Sequence, residues 1–244
     1  MNFSDEFQGR QVLVIGGTSG IGAAIGAAFA AAGAAVTVTG ATEVECSAAR
    51  TQPSLAAATV RSLDVRDGQA VTGCVGELAE LSVLVNCAGV IRRGAELDPV
   101  VFADVIDINL NGTMRACAAA RPLLAKRGGA IVNTASMLSF FGGGLVPGYS
   151  ASKGGIAQLT KSLAIAYAAD GIRVNAVAPG WIATPLTQAL QDDPVRAEPI
   201  LSRTPMRRWG TPDDIAGPAL FLASSAARFV TGVVLPVDGG YLVS

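Results

Sequence analysis

The chain has 244 residues, half of them hydrophobic and 15% charged, which supplies one large core and excludes a disordered polymer. With 18 basic and 19 acidic side chains, a net charge of -1 and no basic block, it lacks the electrostatic footprint of a nucleic-acid binder. Histidine is absent, which excludes Ser-His and Cys-His hydrolase mechanisms and removes the commonest metal ligand.

In chain order, the stretch 1–10 is polar and acidic and does not read as a signal peptide. Residues 11–16 (QVLVIG) form a predicted strand, 20–32 an Ala-rich helix and 36–39 (VTVT) a second strand. The whole stretch 11–42 is uncharged and long enough to suggest a membrane span. Gly16, Gly17, Thr18, Ser19, Gly20 and Gly22, then Gly33, break it, so it reads as a buried strand, turn, helix and strand. Further strands are predicted at 59–63, 83–86, 130–134, 174–178 and 232–237, with long helices at 100–124 and 149–169. Residues 185–205 are expected to form a mobile lid. Strands alternating with helices predict an α/β fold: a single-domain, Rossmann-type, doubly wound parallel sheet of about seven strands with helices on both faces. Its cofactor half would run over about 1–130 and its catalytic half over about 131–244. Cys46, Cys74, Cys87 and Cys117 are widely spaced with no CxxC, which predicts reduced thiols, no zinc and a cytoplasmic protein.

The turn after the first strand carries Gly16, Gly20 and Gly22 in the spacing G-x-x-x-G-x-G. Small residues between a strand and a helix let the backbone approach a pyrophosphate, and the helix N-terminus offers free N–H groups. Thr18, Ser19 and Ile21 belong to the same turn. Further along, Tyr149 and Lys153 stand at i and i+4, on one face of a helix start, with Ser136 thirteen residues before. A free phenol titrates near ~10, and a neighbouring ammonium favours the phenolate, which makes such a tyrosine a workable acid or base.

Together with Asn86-Cys87-Ala88-Gly89, Asn109, Pro179-Gly180 and Thr184, these motifs resemble the short-chain dehydrogenase/reductase family from about residue 9 to 242. Two departures stand out: Ile15 replaces the Thr that opens the family's glycine motif, and Cys87 replaces the second Asn of its N-N-A-G. The resemblance implies an oxidoreductase moving hydride between a nicotinamide cofactor and a secondary alcohol or ketone. It gives Tyr149 the acid/base role, Lys153 the lowering of its pKa and the nicotinamide ribose, Ser136 the substrate oxygen and Asn109 a water relay. Asp64 and Val65 would meet the adenine, Gly40 the adenosine ribose, and Thr184 and Ile182 the carboxamide. Asn86, Ala88, Gly89, Pro179 and Gly180 complete the expected cofactor shell.

Relatives that prefer NAD carry an acid at the end of the second strand, and those that prefer NADP carry a base there or in the glycine turn. Gly40, Ala41 and Ser19 provide neither, and the absence of positive charge favours NAD over NADP. The stretches around Arg92-Arg93, Ser136-Met137 and Arg207-Arg208-Trp209 resemble the branch of 2-dehydro-3-deoxy-D-gluconate and gluconate 5-dehydrogenases. That implies a sugar-acid substrate, with Arg92, Arg93, Arg203 or Arg207 able to grip a carboxylate and Met137 and Trp181 lining its pocket. A 3-oxoacyl carrier-protein reductase, a generic carbonyl reductase and a catalytically silent dinucleotide-binding regulator are the alternatives. The partners expected are a small-molecule substrate, no nucleic acid, no metal, no membrane, and further copies of the chain in a homotetramer, from the apolar C-terminal stretch 232–244 and the two long helices.

Overall fold

A computed structural model describes residues 6–244 of the chain. The first part of the acidic N-terminal stretch, residues 1–5, lies outside the described residues. Seven parallel strands form one sheet in the order β3-β2-β1-β4-β5-β6-β7. They are β1 (Gln11–Ile15), β2 (Ala35–Gly40), β3 (Thr59–Ser62), β4 (Val83–Asn86), β5 (Gly129–Thr134), β6 (Ile172–Pro179) and β7 (Val234–Val237). The connecting helices are α1 (Gly20–Ala31), α2 (Glu43–Arg50), α3 (Gly68–Gly76), α4 (Pro99–Ile106), α5 (Gly112–Leu124), α6 (Pro147–Ala166), α7 (Gln188–Gln191), α8 (Pro194–Arg203) and α9 (Pro212–Ala223).

The alternation along β1 shows why the strands are apolar throughout. Val12 and Val14 face a core shared with Ile25 and Phe29 of α1 and Ile215 of α9. Leu13 and Ile15 face a second core with Val71 of α3, Ala116 and Leu124 of α5 and Leu163 of α6. Both faces of a parallel sheet are covered, so period-2 polarity vanishes from the sequence. No helix among the described residues is long and apolar enough to cross a membrane. The uncharged stretch 11–42 becomes β1, a turn, α1 and β2.

One element differs from the sequence reading. Residues 100–124, expected as one helix, divide at a π turn over Asp107–Asn111 between α4 and α5. Such a turn inserts one residue into the helical ladder and often marks a functional position. Residues 185–205, expected as a mobile lid, carry a 3-10 turn at Pro185–Thr187, the short α7 and the ten-residue α8. Asp193 caps α8 by accepting from the Val195 and Arg196 N–H groups.

Candidate active site

The chain runs from β1 outward to β3, then returns to place β4 on the other side of β1. Ligands in open α/β sheets bind at such a switch point, beyond the carboxyl ends of the strands. A cleft of about 420 Å³ lies there, reached by the glycine turn, the ends of β2 and β3, the loop after β4, and Thr134, Tyr149, Lys153 and Thr184.

The glycine turn is shaped for a close backbone approach. Gly16 has φ +76, and a Cβ there would fall 2.4 Å from the Ala88 nitrogen; one at Gly22 would fall 2.1 Å from the Gly16 oxygen. Ser19 begins α1 with no side-chain cap, so the first-turn N–H groups are left for a ligand or water. Thr18, Gly20 and Ile21 also line the cleft. These features fit a dinucleotide pyrophosphate. The missing Thr at position 15 is offset from another strand: the buried Thr39 hydroxyl of β2 accepts from the Gly16 N–H at 3.3 Å.

At the far end of the cleft, Asp64 and Val65 lie where adenine is expected, but Asp64 is gripped by Arg66. The guanidinium meets both Asp64 oxygens, at 2.7 Å for Nη2 to Oδ2, and holds the carboxyl below its usual range. Arg66 also reaches Asp104 at 3.1 Å.

The reacting end is built on α6. Tyr149 and Lys153 lie one turn apart, with the Lys153 nitrogen 5.5 Å from the Tyr149 ring centre. The ammonium is buried and donates to the Thr134 carbonyl at 2.6 Å, and burial lowers its pKa to about 8. Ser136 opens a 3-10 turn after β5, and Ser139 ties that turn to α6 by donating to the Lys153 carbonyl at 2.6 Å. Burial pushes the Tyr149 phenol above its ordinary value, with the Ser136 hydroxyl pulling the other way and the Glu96 charge adding to the rise. The sequence expectation gives Lys153 the opposite effect on the phenol. In the structure its ammonium donates to the Thr134 carbonyl, and burial of the phenol is the largest influence.

Other expected residues have different surroundings. Asn86 turns into the core, where its amide donates to Asn133 at 2.9 Å and to the Cys117 sulfur. Cys87 does reach the cleft, and its thiol meets the Thr134 hydroxyl at 3.2 Å. Asn109 sits in the π turn, and its side chain is fully engaged: it exchanges hydrogen bonds with the Val90 backbone and donates to Ser152 at 3.0 Å. Ala88 and Gly89 line the cleft, whereas Pro179, Gly180 and Ile182 do not. Gly180 packs on Asp238, where a Cβ would come within 2.6 Å of the backbone. Trp181 and Ile182 line a separate cavity of about 160 Å³ with Thr204, Met206 and Arg208.

The candidate substrate residues are not gathered on the cleft wall either. Met137 is buried, Arg92 pairs with Asp104 at 2.6 Å, and Arg203 stacks on Tyr241 at 4.3 Å and Phe141 at 5.4 Å. Arg93 and Arg207 are exposed. Two residues that sequence reasoning missed are Arg66 and Glu96. Arg66 had a signal in its position two after Asp64; Glu96 had none.

A family model described as enoyl-(acyl carrier protein) reductase matches residues 16–242, and the chain belongs to the short-chain dehydrogenase/reductase family. It is an NAD(P)-dependent oxidoreductase acting on CH–OH groups. The chain is 43% identical to a 2-dehydro-3-deoxy-D-gluconate 5-dehydrogenase of Bacillus subtilis, over 96% of this chain and 95% of that one. A solved structure from Agrobacterium tumefaciens with bound NADP is 40% identical, with a TM-score of 0.90 over 100% of this chain and 99% of the other. A gluconate 5-dehydrogenase from Burkholderia cenocepacia, in complex with NADP and tartrate, is 33% identical, with a TM-score of 0.90 over 99% of each chain.

Proposed function

We propose that the protein interconverts a secondary alcohol and a ketone on a sugar acid of the 2-dehydro-3-deoxy-D-gluconate or gluconate type. The observation that carries the reading is half-buried Tyr149 and buried Lys153, one turn apart on α6 at the end of a glycine-cradled cleft. The sugar-acid relatives support the substrate class over the acyl thioester suggested by the family model's description. A nicotinamide held in the cleft would supply the hydride acceptor for oxidation and the hydride donor for reduction. Tyr149 takes the hydroxyl proton as the C=O bond forms, and gives it back in reduction. Ser136 holds the same substrate oxygen. Lys153 would hold the ribose hydroxyls, the glycine turn the phosphates and Thr184 the carboxamide. Burial keeps the Tyr149 phenol protonated at neutral pH, which equips the resting site for ketone reduction.

For the cofactor, the NADP bound in relatives supports NADP, and the lean to NAD finds no support among them. Gly40, Ala41 and Ser19 offer a 2′-phosphate no cation, and Arg66 on the cleft wall is paired with Asp64 and Asp104, so backbone N–H groups would serve. The Ala41 and Thr42 N–H groups now donate to the Glu45 carboxylate, at 2.7 and 3.3 Å, and Glu45 would turn aside. An Asp in place of Gly40 has no room: its Cβ would come 2.8 Å from the Thr18 side chain.

The test is a panel of sugar acids, acyl thioesters and simple ketones with both cofactors, followed by absorbance of the reduced nicotinamide. Sugar acids with NADP are expected to give the highest kcat/KM. An acyl thioester in first place would replace the substrate reading, and a preference for NAD above about tenfold would remove the NADP reading. The chain is proposed to form a homotetramer, since Val100 of α4, Ile165 of α6 and Val243 near the C-terminus are 78%, 82% and 88% exposed. Light scattering is expected to give four chain masses; one chain mass would refute the assembly.

A further inference from the structure

The helix that carries Tyr149 has no cap of its own. Its N-cap, Val146, offers no side-chain acceptor, and Pro147 has no N–H to give. The cap comes instead from Glu96, 53 residues earlier in the chain, whose carboxylate Oε2 accepts from the Tyr149 N–H at 2.7 Å. The other oxygen, Oε1, accepts from the Arg92 N–H at 2.6 Å, in the loop that follows β4. Glu96 is 1% exposed and makes no ion pair with a Lys or Arg among the described residues. The nearby Arg92 guanidinium goes to Asp104 instead.

The chain makes room for this carboxylate. A Cβ at Gly148 would stand 3.3 Å from Glu96 Oε2, so a larger residue there would press on it. A buried carboxylate is costly unless its oxygens are satisfied, and here backbone N–H groups from two segments satisfy it. Its charge also lies at the positive end of the α6 dipole. The opposite side of Tyr149 is held as well: its carbonyl accepts from Ser152 at 2.7 Å, and Ser152 accepts in turn from Asn109. Asn109 grips the same loop through Val90. The backbone of Tyr149 is therefore fixed at its N–H by Glu96 and at its carbonyl by a chain leading to Asn109. Both fixings end in the loop 89–96 beside the cleft.

We propose that Glu96 is the positioning residue for proton transfer at Tyr149, its buried carboxylate clamping the start of the reacting helix to the loop after β4. This rests on the reading of Tyr149 as the acid/base. Three groups lie around Tyr149: Ser136 from the turn after β5, Lys153 one turn along its own helix, and Glu96, at the backbone N–H, from the 3-10 turn Ala95–Leu97. Removing the Glu96 charge removes one cause of the raised phenol pKa, so a clamp and a plain packing role predict different pH behaviour.

The experiment compares Glu96→Gln and Glu96→Asp with the wild type, reading kcat, KM, cofactor dissociation constant and the pH profile of alcohol oxidation. In Glu96→Gln, an amide nitrogen must face one of the two N–H donors, so one fixing is lost. That variant is expected to lose about tenfold in kcat, to bind cofactor within about twofold of wild type, and to move the alkaline rise of oxidation to lower pH. Glu96→Asp keeps the charge but not the reach, and is expected to lower kcat with the rise unmoved. A Glu96→Gln variant with kcat within about twofold of wild type and an unmoved profile overturns the clamp. If Glu96→Gln does not fold, a Glu96→Asp variant with wild-type kcat overturns the clamp alone. Activity retained by Tyr149→Phe would instead remove the acid/base reading beneath it.

Discussion

Tyr149→Phe is expected to lower kcat by about 10²- to 10⁴-fold while cofactor binding stays within about twofold of wild type. The phenolic oxygen is the only part of the side chain asked to move a proton; the ring only packs. Because burial raises the phenol's pKa, oxidation by the wild type, which needs the phenolate, should climb as pH rises above neutrality. Ketone reduction, which needs the phenol, should hold at neutral pH and fall in the same alkaline range. The residual activity of the Phe variant should show neither limb. Measured pH profiles of kcat in both directions check this, and a Phe variant retaining a tenth of wild-type turnover would remove Tyr149 from its role.

Lys153→Met is expected to abolish turnover, weaken cofactor binding and stabilise the fold at neutral pH. Burial lowers the folded-state pKa of Lys153 to about 8, from an ordinary 10.5. The unfolded chain therefore binds more protons than the folded one between those values, and stability rises with pH across that window. Below about pH 8 the full cost of the buried ammonium is present, on the order of 3 kcal/mol. Loss of the hydrogen bond to the Thr134 carbonyl offsets roughly half of that gain. The Met variant should thus exceed wild type by on the order of 1–2 kcal/mol at pH 7, with the gain shrinking toward pH 10.5. Urea denaturation at several pH values reads this directly. A Met variant that is less stable at pH 7 would mean that the ammonium is well solvated or better paired than its burial implies.

What the sequence made legible follows from local patterning. An apolar strand, a glycine turn and an Ala-rich helix need only neighbouring residues to be recognised, and β1, the turn and α1 stand where the pattern places them. Tyr149 and Lys153 share a face because helical period alone puts them there. The misreadings arise where tertiary contacts decide. The π turn at Asp107–Asn111 lies inside a run read as one helix, although Asn109, Asn111 and Gly112 are weak helix formers, and Asn109 is drawn from it toward Val90 and Ser152. Asn86 faces inward because Asn133, 47 residues away on the neighbouring strand, supplies its acceptor. Thr39 serves the glycine turn across a strand pair, so the Ile15 departure signals a loss that the fold makes good. Glu96 sits in a polar loop like any surface acid, and only the packing of that loop on α6 buries it. Gly40 is recognisable in the sequence only as a missing acid or base, whereas the packing of Thr18, 2.8 Å from where a Cβ would stand, needs the folded structure to be seen.

The most direct measurement of the central claim uses a sugar acid of the 2-dehydro-3-deoxy-D-gluconate class that carries deuterium on its C5 carbinol carbon. The labelled acid is incubated with wild type and oxidised cofactor, and the reduced cofactor is recovered and weighed by mass spectrometry. Hydride transfer predicts deuterium on the recovered nicotinamide in step with ketone formed, and both reduced by about 10²- to 10⁴-fold with Tyr149→Phe. Ketone formed with the label lost to water, or no ketone from any sugar acid while an acyl thioester or simple ketone turns over, would contradict the account.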